Sequence, residues 1–389
     1  MNKKNIKYLK VLLTIIVVVL FLELFYIVYL FFFTKENPIY FDGTNSFIYS
    51  SNNKYIAVGS NNDNDKYFEK GKITIYDKDL NKIKEKFYNK GYKSTFYDLL
   101  EDNDGYVVVG SYEKSKNDNE NNSRRALIVK YDLEGNIIFE KDFRVTNDSA
   151  FTGIISVSDG YVVVGYSLSN DDFNNGGAYI VKYDKTGNIV WSSSYGDKSN
   201  AKFKDVIIVD NYYYAVGVNE NNVSVICKFD SNGKLVKDSF YKYTDNLGFT
   251  GIVSYNNSLY ITGSRKEKGK KYDGNALIVR YSFDLVREKE VVYSSNKASR
   301  YNTIKIDKDN IIVIGTISVN KQYDGLIGKY DSNLNTIVTE ELASSTDTYF
   351  NDLIIVDGKY RVIGYSSYNN NYLTKFITYS DALRVLESK

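Results

Sequence analysis

From residue 45 onward, short apolar runs alternate with polar clusters at a steady interval. The runs "KYIAVGS", "YVVVGSY", "YVVVGYS", "YYAVGVN", "LYITGSR", "IIVIGTI" and "YRVIGYS" carry Gly59, Gly110, Gly165, Gly217, Gly263, Gly315 and Gly364. Their spacings are 51, 55, 52, 46, 52 and 49 residues. A period near 50 that contains several short strands predicts propeller blades. The second repeat shows the division into strands: "FYDLLED", "GYVVVGSY", "RALIVKYD" and "GNIIFEKDF". The second of these is a continuous apolar run, as for a strand buried on both faces. Its glycine is expected to permit close approach of the next blade's backbone, or a bulge. Aromatic columns close the third strand (Tyr76, Tyr131, Tyr183, Phe229, Tyr281, Tyr330, Tyr379) and open the first (Phe96, Phe151, Phe203, Phe249, Tyr301, Phe350). They predict blade-to-blade packing.

The N-terminus follows a different pattern. Val11 to Phe33 holds a single charge, Glu23, and at 1.5 Å per residue would make about 34 Å of helix, enough to cross a bilayer core. Lys3, Lys4, Lys7 and Lys10 precede it, so the positive-inside rule places the N-terminus in the cytoplasm. No small-residue cleavage site follows, which favours an uncleaved anchor over a signal peptide. The expected organisation is a basic cytoplasmic segment (1–10), a signal anchor (11–33), a tether (34–44) and the propeller (45–389). The expected fold class is all-β: a seven-bladed β-propeller of four-stranded antiparallel blades, preceded by one transmembrane helix. The expected location is the plasma membrane, single-pass, with the propeller on the extracytoplasmic side. A charge such as Glu23 in mid-span costs roughly 2.5–3.5 kcal/mol on insertion scales. It is either a tolerated, protonated acid beside Tyr26 or a contact to a partner helix.

The stretches "SDGYVVVGYS" and "YIVKYDKTGNIVW" resemble the repeats of bacterial cell-surface β-propeller proteins, over residues 45 to about 388. "DKTGNIVW" is also weakly similar to quinoprotein-type propeller repeats, in which a tryptophan docks between blades. The resemblance implies a fold and no shared activity. Trp191 stands where other repeats carry Phe139, Val236 or Val338, so it reads as part of a hairpin rather than a cofactor motif. The turn between third and fourth strands is "DLEGN", "DKTGN" or "DSNGK" in three repeats, where Asp binds backbone amides and Gly takes positive φ. The other repeats lack this glycine.

Composition narrows the chemistry. The 389 residues contain no histidine and one cysteine, Cys227. This excludes Ser-His-Asp and Cys-His catalysis, His-containing or all-Cys zinc sites, and an internal disulfide. Net charge is +2, and nothing global suggests nucleic acid. Setting aside the four N-terminal lysines from 50 basic residues, and Glu23 from 48 acidic, leaves 46 against 47 outside. The 38 tyrosines fit an AT-rich, bacterial genome and the β propensity of Tyr. No cofactor or metal is expected, since the Asp/Asn turns fail the calcium-loop spacing.

Candidate sites fall on loops and on the channel. Loops between second and third strands are long and polar, and variable loops on a rigid scaffold are where binding usually resides. The sharpest is 264–275, where Arg265, Lys266, Lys268, Lys270 and Lys271 outnumber Glu267 and Asp273 and suit an anionic polymer, lipid headgroups or an acidic protein. The tether is expected to enter on this loop-rich face. Asp98, Asp205 and Asp352 share one column near the start of the first strand and would form an acidic rim at the channel mouth. A basic residue recurs on the third strand (Lys130, Lys182, Lys228, Arg280, Lys329), read as salt-bridged. The leading functional expectation is a non-enzymatic, membrane-anchored binding or scaffold module for a protein or cell-envelope polymer. Alternatives are a glycan-acting enzyme with paired carboxylates, against which the absence of sialidase-type Asp boxes counts, and a structural subunit contacted through Glu23.

Overall fold

The structure is a computed structural model that describes residues 42–62, 69–114, 124–146, 148–168, 176–196, 200–242, 248–266, 274–293, 296–319, 322–368 and 371–389. The anchor, Glu23 and the tether up to Phe41 lie outside the described residues. Within the unit Tyr40–Lys389 the described residues form 28 strands and no helix. They fall into consecutive antiparallel groups of four, each strand pairing with the next in sequence. The first strands are Asp42–Tyr49, Lys93–Asp102, Asp148–Val157, Lys202–Val209, Phe249–Tyr255, Ser299–Asp307 and Thr348–Val356. The first strand of each repeat contacts that of the next, and the last contacts the first, so the first strands surround a common axis. The second and third repeats are also joined by one parallel pair, Arg124 with Asp148.

Second strands such as Gly105–Glu113 and Gly160–Leu168 are buried almost throughout, as their unbroken apolar runs require. Fourth strands are mostly exposed and carry the isolated surface apolar residues. The recurring second-strand glycine answers to a bulge, the second of the two causes expected, and not to the backbone of the next repeat. Every first strand bulges at one residue: Asn45, Tyr97, Thr152, Lys204, Thr250, Asn302 and Asn351. The bulge presses the first strand's backbone onto the glycine of its own repeat, not of the next. A Cβ on Gly165 would lie 1.9 Å from the Ala150 carbonyl oxygen, and one on Gly364 would lie 1.7 Å from that of Tyr349.

The hairpin turns behave as their sequence implies and add a variation. The Asp184 Oδ1 accepts the amides of Thr186 (2.9 Å) and Asn188 (2.8 Å), and Gly187 sits at φ 82°. Where this glycine is missing, leucine takes the same left-handed conformation: Leu80, Leu285, Leu334 and Leu383, with φ between 57° and 61°. All four are buried between repeats. Where glycine is present, the preceding repeat lends a side chain to the space. Phe139 packs over Gly187, and Trp191 packs over Gly233. Trp191 therefore packs between the third and fourth repeats. Strand register also corrects its column: Trp191 pairs with Lys182 and Lys237 pairs with Lys228, so Lys237, not Val236, is its counterpart.

The tyrosines do more than fill strands. Tyr88 donates to Glu140 (3.0 Å), Tyr195 to Asp238 (2.9 Å), Tyr241 to Glu290 (3.0 Å) and Tyr293 to Glu341 (2.8 Å), each a bond from one repeat to the next. The third-strand bases are paired, as expected. Lys130 meets Asp102 and Asp104, Lys182 meets Asp159, Arg280 meets Glu288 and Lys329 meets Asp381. Lys228 donates to the Phe283 carbonyl. Cys227 is a buried core residue, and burial pushes its thiol pKa up.

Among the described residues the ring closes without strand exchange. The last repeat forms its own fourth strand, Val385–Ser388. Phe47, Tyr55, Tyr76 and Leu80 of the first repeat share one core with Val356, Ile363 and Phe376 of the last. The first strand begins at Asp42, three residues before the expected boundary, and the Thr374 hydroxyl donates to the Asp42 carbonyl (3.0 Å). Asp42 pairs with Asn61 at the end of the second strand, so the chain enters on the loop-rich face, as expected.

Candidate functional site at the channel mouth

The bulges determine what lines the axis. Five of the seven bulged side chains donate a hydrogen bond to a first-strand carbonyl of the following repeat. These are Asn45 to Phe96 (2.7 Å), Thr152 to Phe203 (2.8 Å), Thr250 to Tyr301 (2.7 Å), Asn302 to Phe350 (2.8 Å) and Asn351 to Thr44 (2.8 Å). Tyr97 and Lys204 hold the two remaining bulge positions.

One residue deeper lies the acidic column. Asp98, Asp205 and Asp352 all line one cavity of about 390 Å³ on the axis, so the structure brings these three together. They are bound into the scaffold. Asp98 accepts the amides of Leu99 (2.8 Å) and Ile154 (3.0 Å); Asp205 accepts those of Val206 (2.8 Å) and Ile252 (2.9 Å). Asp352 accepts those of Leu353 (2.8 Å) and Phe47 (3.1 Å). In each case the second amide belongs to the next repeat, and the residue before it is small: Gly153, Gly251 or Ser46. The Ser46 hydroxyl lies 2.7 Å from Asp352 and 3.1 Å from Asp98. Two levels down, Ile48, Leu100, Ile155, Ile207, Val253 and Ile354 form an apolar collar interrupted by Lys305.

Electrostatics follow from this layering. Burial, then the charges of Asp352 and Asp205, push Asp98 up to about 7 against the pull of its two backbone hydrogen bonds. Burial also raises Asp205. Lys305 is held above the usual lysine range: burial opposes its charge, but Asp352, Asp205 and Asp98 outweigh it. At the loop-rich mouth the sign reverses. Lys204 reaches channel water, yet the enclosing walls, followed by the charges of Arg300, Lys202 and Arg124, press it down to about 8. Burial lowers Arg300 as well. The Arg300 Nε is buried with no hydrogen-bond partner among the described residues.

Beside Arg300 a second cavity of about 430 Å³ opens between the sixth and seventh repeats, sharing Asn302 and Asn351 with the axial one. Its wall is a tyrosine stack. Ring centroids are 5.1 Å apart for Tyr323 and Tyr349, and 4.8 Å for Tyr349 and Tyr365.

The cationic loop is partly described. Arg265 is bound to Glu290 at 2.5 Å, and Lys266 has partners of its own. Lys268, Lys270 and Lys271 lie outside the described residues. Sequence reasoning missed Lys204, Arg300 and the tyrosine stack. The available signal was positional. In the bulge column Lys204 stands where the other repeats carry Asn, Thr or Tyr97, and in the column before the first-strand aromatic, Arg300 and Tyr349 stand where the other repeats carry Gly43, Thr95, Ala150, Lys202 or Gly248. Among the described residues, no group of His, Cys, Asp and Glu could hold a metal ion.

No family model and no curated protein matches the sequence. Among solved structures the chain is similar to Sqt1 from Chaetomium thermophilum (TM-score 0.51, 11% identity, 91% of this chain and 89% of that chain). It is also similar to an acylaminoacyl peptidase from Pyrococcus horikoshii (TM-score 0.51, 11% identity, 91% of this chain), spanning about half, 53%, of that longer chain. The β-propeller domain of the Trilobed protease from Pyrococcus furiosus matches at a TM-score of 0.41, with 10% identity, over 76% of this chain and 97% of that one. At such identities the likeness concerns fold alone. The ring of four-stranded antiparallel repeats around a common axis makes the described part of the chain an all-β protein of the β-propeller type.

Proposed function

We propose that the protein is a seven-bladed β-propeller held on the extracytoplasmic side of a plasma membrane by the Val11–Phe33 span. It acts as a non-enzymatic binding or scaffold module for an anionic partner, a cell-envelope polymer or an acidic protein surface. The observation that carries this reading is the charge layering of the channel. The acids are tied into the scaffold by backbone amides, whereas Lys204 and Arg300 at the mouth have no acidic partner among the described residues. Cations crowded at a concave, low-dielectric mouth attract an anion.

One observation favours a glycan-acting enzyme: Asp98, at about 7, has the protonation a general acid needs. Its oxygens, however, accept Leu99, Ile154 and Ser46, and catalysis would have to break bonds that join repeats.

The test uses the full chain in lipid nanodiscs. Binding to polygalacturonate, polyglutamate and neutral dextran is compared at rising salt. The reading requires salt-sensitive binding of at least one polyanion that Lys204→Glu weakens. Binding of none of them, or turnover of a glycan that Asp98→Asn abolishes, overturns it. Membrane topology is read by labelling single cysteines introduced at residues 5 and 389 from either side, in a Cys227→Ser background. Labelling of both from the same side defeats the proposed anchor.

A further inference from the structure

The geometry points to a subsite for a single anionic sugar residue, walled by Arg300, Asn302, Asn351, Tyr323, Tyr349 and Tyr365. This deepens the binding reading above and rests on it. Four observations converge on the pocket. Its volume, about 430 Å³, lies within the range of small-molecule sites, about 300–1,000 Å³. Arg300 brings a donor-only guanidinium with no acidic partner among the described residues; of the other arginines whose Nε is likewise buried without a hydrogen bond, Arg125, Arg265 and Arg280 each meet a carboxylate and Arg361 lies over the Tyr55 ring. An unmet buried donor is costly, and a carboxylate or phosphate accepts the guanidinium fork in two parallel bonds. The neighbouring acid is already engaged: the Asp347 carboxylate accepts the Tyr323 amide at 2.8 Å. Lys204, across the mouth, adds positive charge and no competing anion.

The tyrosines select the rest of the ligand. Tyr323, Tyr349 and Tyr365 stack on one another at about 5 Å, so no flat base fits between them. The stack offers ring surface and hydroxyls along one wall, and Tyr323 is 42% exposed. That combination suits a pyranose ring, whose C–H face packs on aromatic surface while its hydroxyls take hydrogen bonds. Asn302 and Asn351 fix the floor, because their amide NH2 groups are held by Phe350 and Thr44. The ligand is therefore a sugar bearing a carboxylate or a phosphate, presented as one unit of a polymer or free.

The experiment is calorimetric titration of the full chain in nanodiscs with glucuronate, glucose 6-phosphate, glucose and inorganic phosphate. At least one charged sugar should bind about tenfold or more tightly than glucose and than phosphate alone. Whether glucuronate or glucose 6-phosphate is preferred identifies the anion. Arg300→Gln should cost the charged sugar about tenfold and leave glucose unchanged; Arg300→Lys, which keeps charge but not the fork, should fall between. Tyr349→Ala should weaken both sugars. Unchanged Trp191 emission checks that each variant is folded, and Arg300→Lys carries the test if Arg300→Gln is not. Equal affinity for glucose and both charged sugars, or no binding of either charged sugar, overturns the subsite. If polyanions still bind the natural protein and Arg300→Gln equally, the subsite fails while the binding module stands. If no polyanion binds but a charged sugar does, the polymer-binding reading fails and the subsite stands; if neither binds, both fail.

Discussion

The Asn351 side-chain amide donates to the carbonyl oxygen of Thr44 at 2.8 Å, joining residues 307 positions apart. It is the last of five equivalent bonds around the axis, and it is where the last repeat meets the first. Among the described residues no strand is exchanged between the chain ends, and closure rests on such bonds, those of Ser46 and the Phe47 amide to Asp352 and of Thr374 to Asp42 among them, and on the shared core around Phe376.

Asn351→Ala should therefore destabilise the protein by about 1–2 kcal/mol, the cost of one hydrogen bond plus an unpaired carbonyl. Asn302→Ala removes the equivalent bond inside the ring and should cost a similar amount in urea. Limited proteolysis should separate the two. Only Asn351→Ala should speed cleavage near the C-terminus, because only that seam is uncrossed by the chain.

Stability should fall as pH rises between about 4 and about 7. In the unfolded chain Asp98 ionises near the ordinary aspartate value of about 3.9, whereas in the folded protein it holds its proton to about 7. Across that window the folded state binds more protons, so deprotonation favours unfolding. Below the window both states are protonated and the effect vanishes; above it the loss is complete. Thermal melts at pH 4.5 and 8 should show the slope, and Asp98→Asn should flatten it. A slope unchanged in the variant would show that other groups produce it.

At Leu334 glycine should be a better replacement than alanine. Either change loses the buried side chain, a loss of about 2–5 kcal/mol for alanine. Alanine, however, keeps a left-handed backbone at φ 59°, which costs a non-glycine residue about 1–2 kcal/mol. Leu334→Gly should therefore be more stable than Leu334→Ala by about 1 kcal/mol, the reverse of the usual order in regular structure. Urea midpoints of the two variants decide it.

Gly233→Ala should be far more damaging than Gly135→Ala. Both glycines have φ 77°, so backbone strain is matched. A Cβ at 233 would lie 2.5 Å from the Trp191 ring, whereas one at 135 meets only the Lys86 stem at 3.2 Å. The overpacking term, about 1–3 kcal/mol, is thus specific to Gly233. Because Trp191 is the only tryptophan, its emission should shift in Gly233→Ala and remain in place in Gly135→Ala.

The repeat period, the order of strands and the entry face were legible because each repeat buries its second strand on both faces, and such a run leaves no polar residue to hide it. The Asp184 turn was legible for a local reason: its carboxylate binds amides two and four residues ahead. The acidic column could also be read from position, since Asp98, Asp205 and Asp352 stand at the same place in their repeats. What they do could not be read, because the amides of Ile154, Ile252 and Phe47 that engage them belong to the neighbouring repeat. The glycine column was legible as either a close approach or a bulge; that it is a bulge in the first strand of the same repeat was decided only by strand pairing.

The sequence by itself determined the all-β repeat architecture, the hairpin turns and the exclusion of histidine chemistry, since all of these depend on residue identity and short-range spacing. Tertiary structure alone decided that the acids are scaffold and that Arg300, beside a tyrosine stack, has no acid among the described residues. Repeats about 50 residues apart become neighbours only when the ring closes. A charge is paired or unpaired according to what stands next to it in space, and the chain order does not record that.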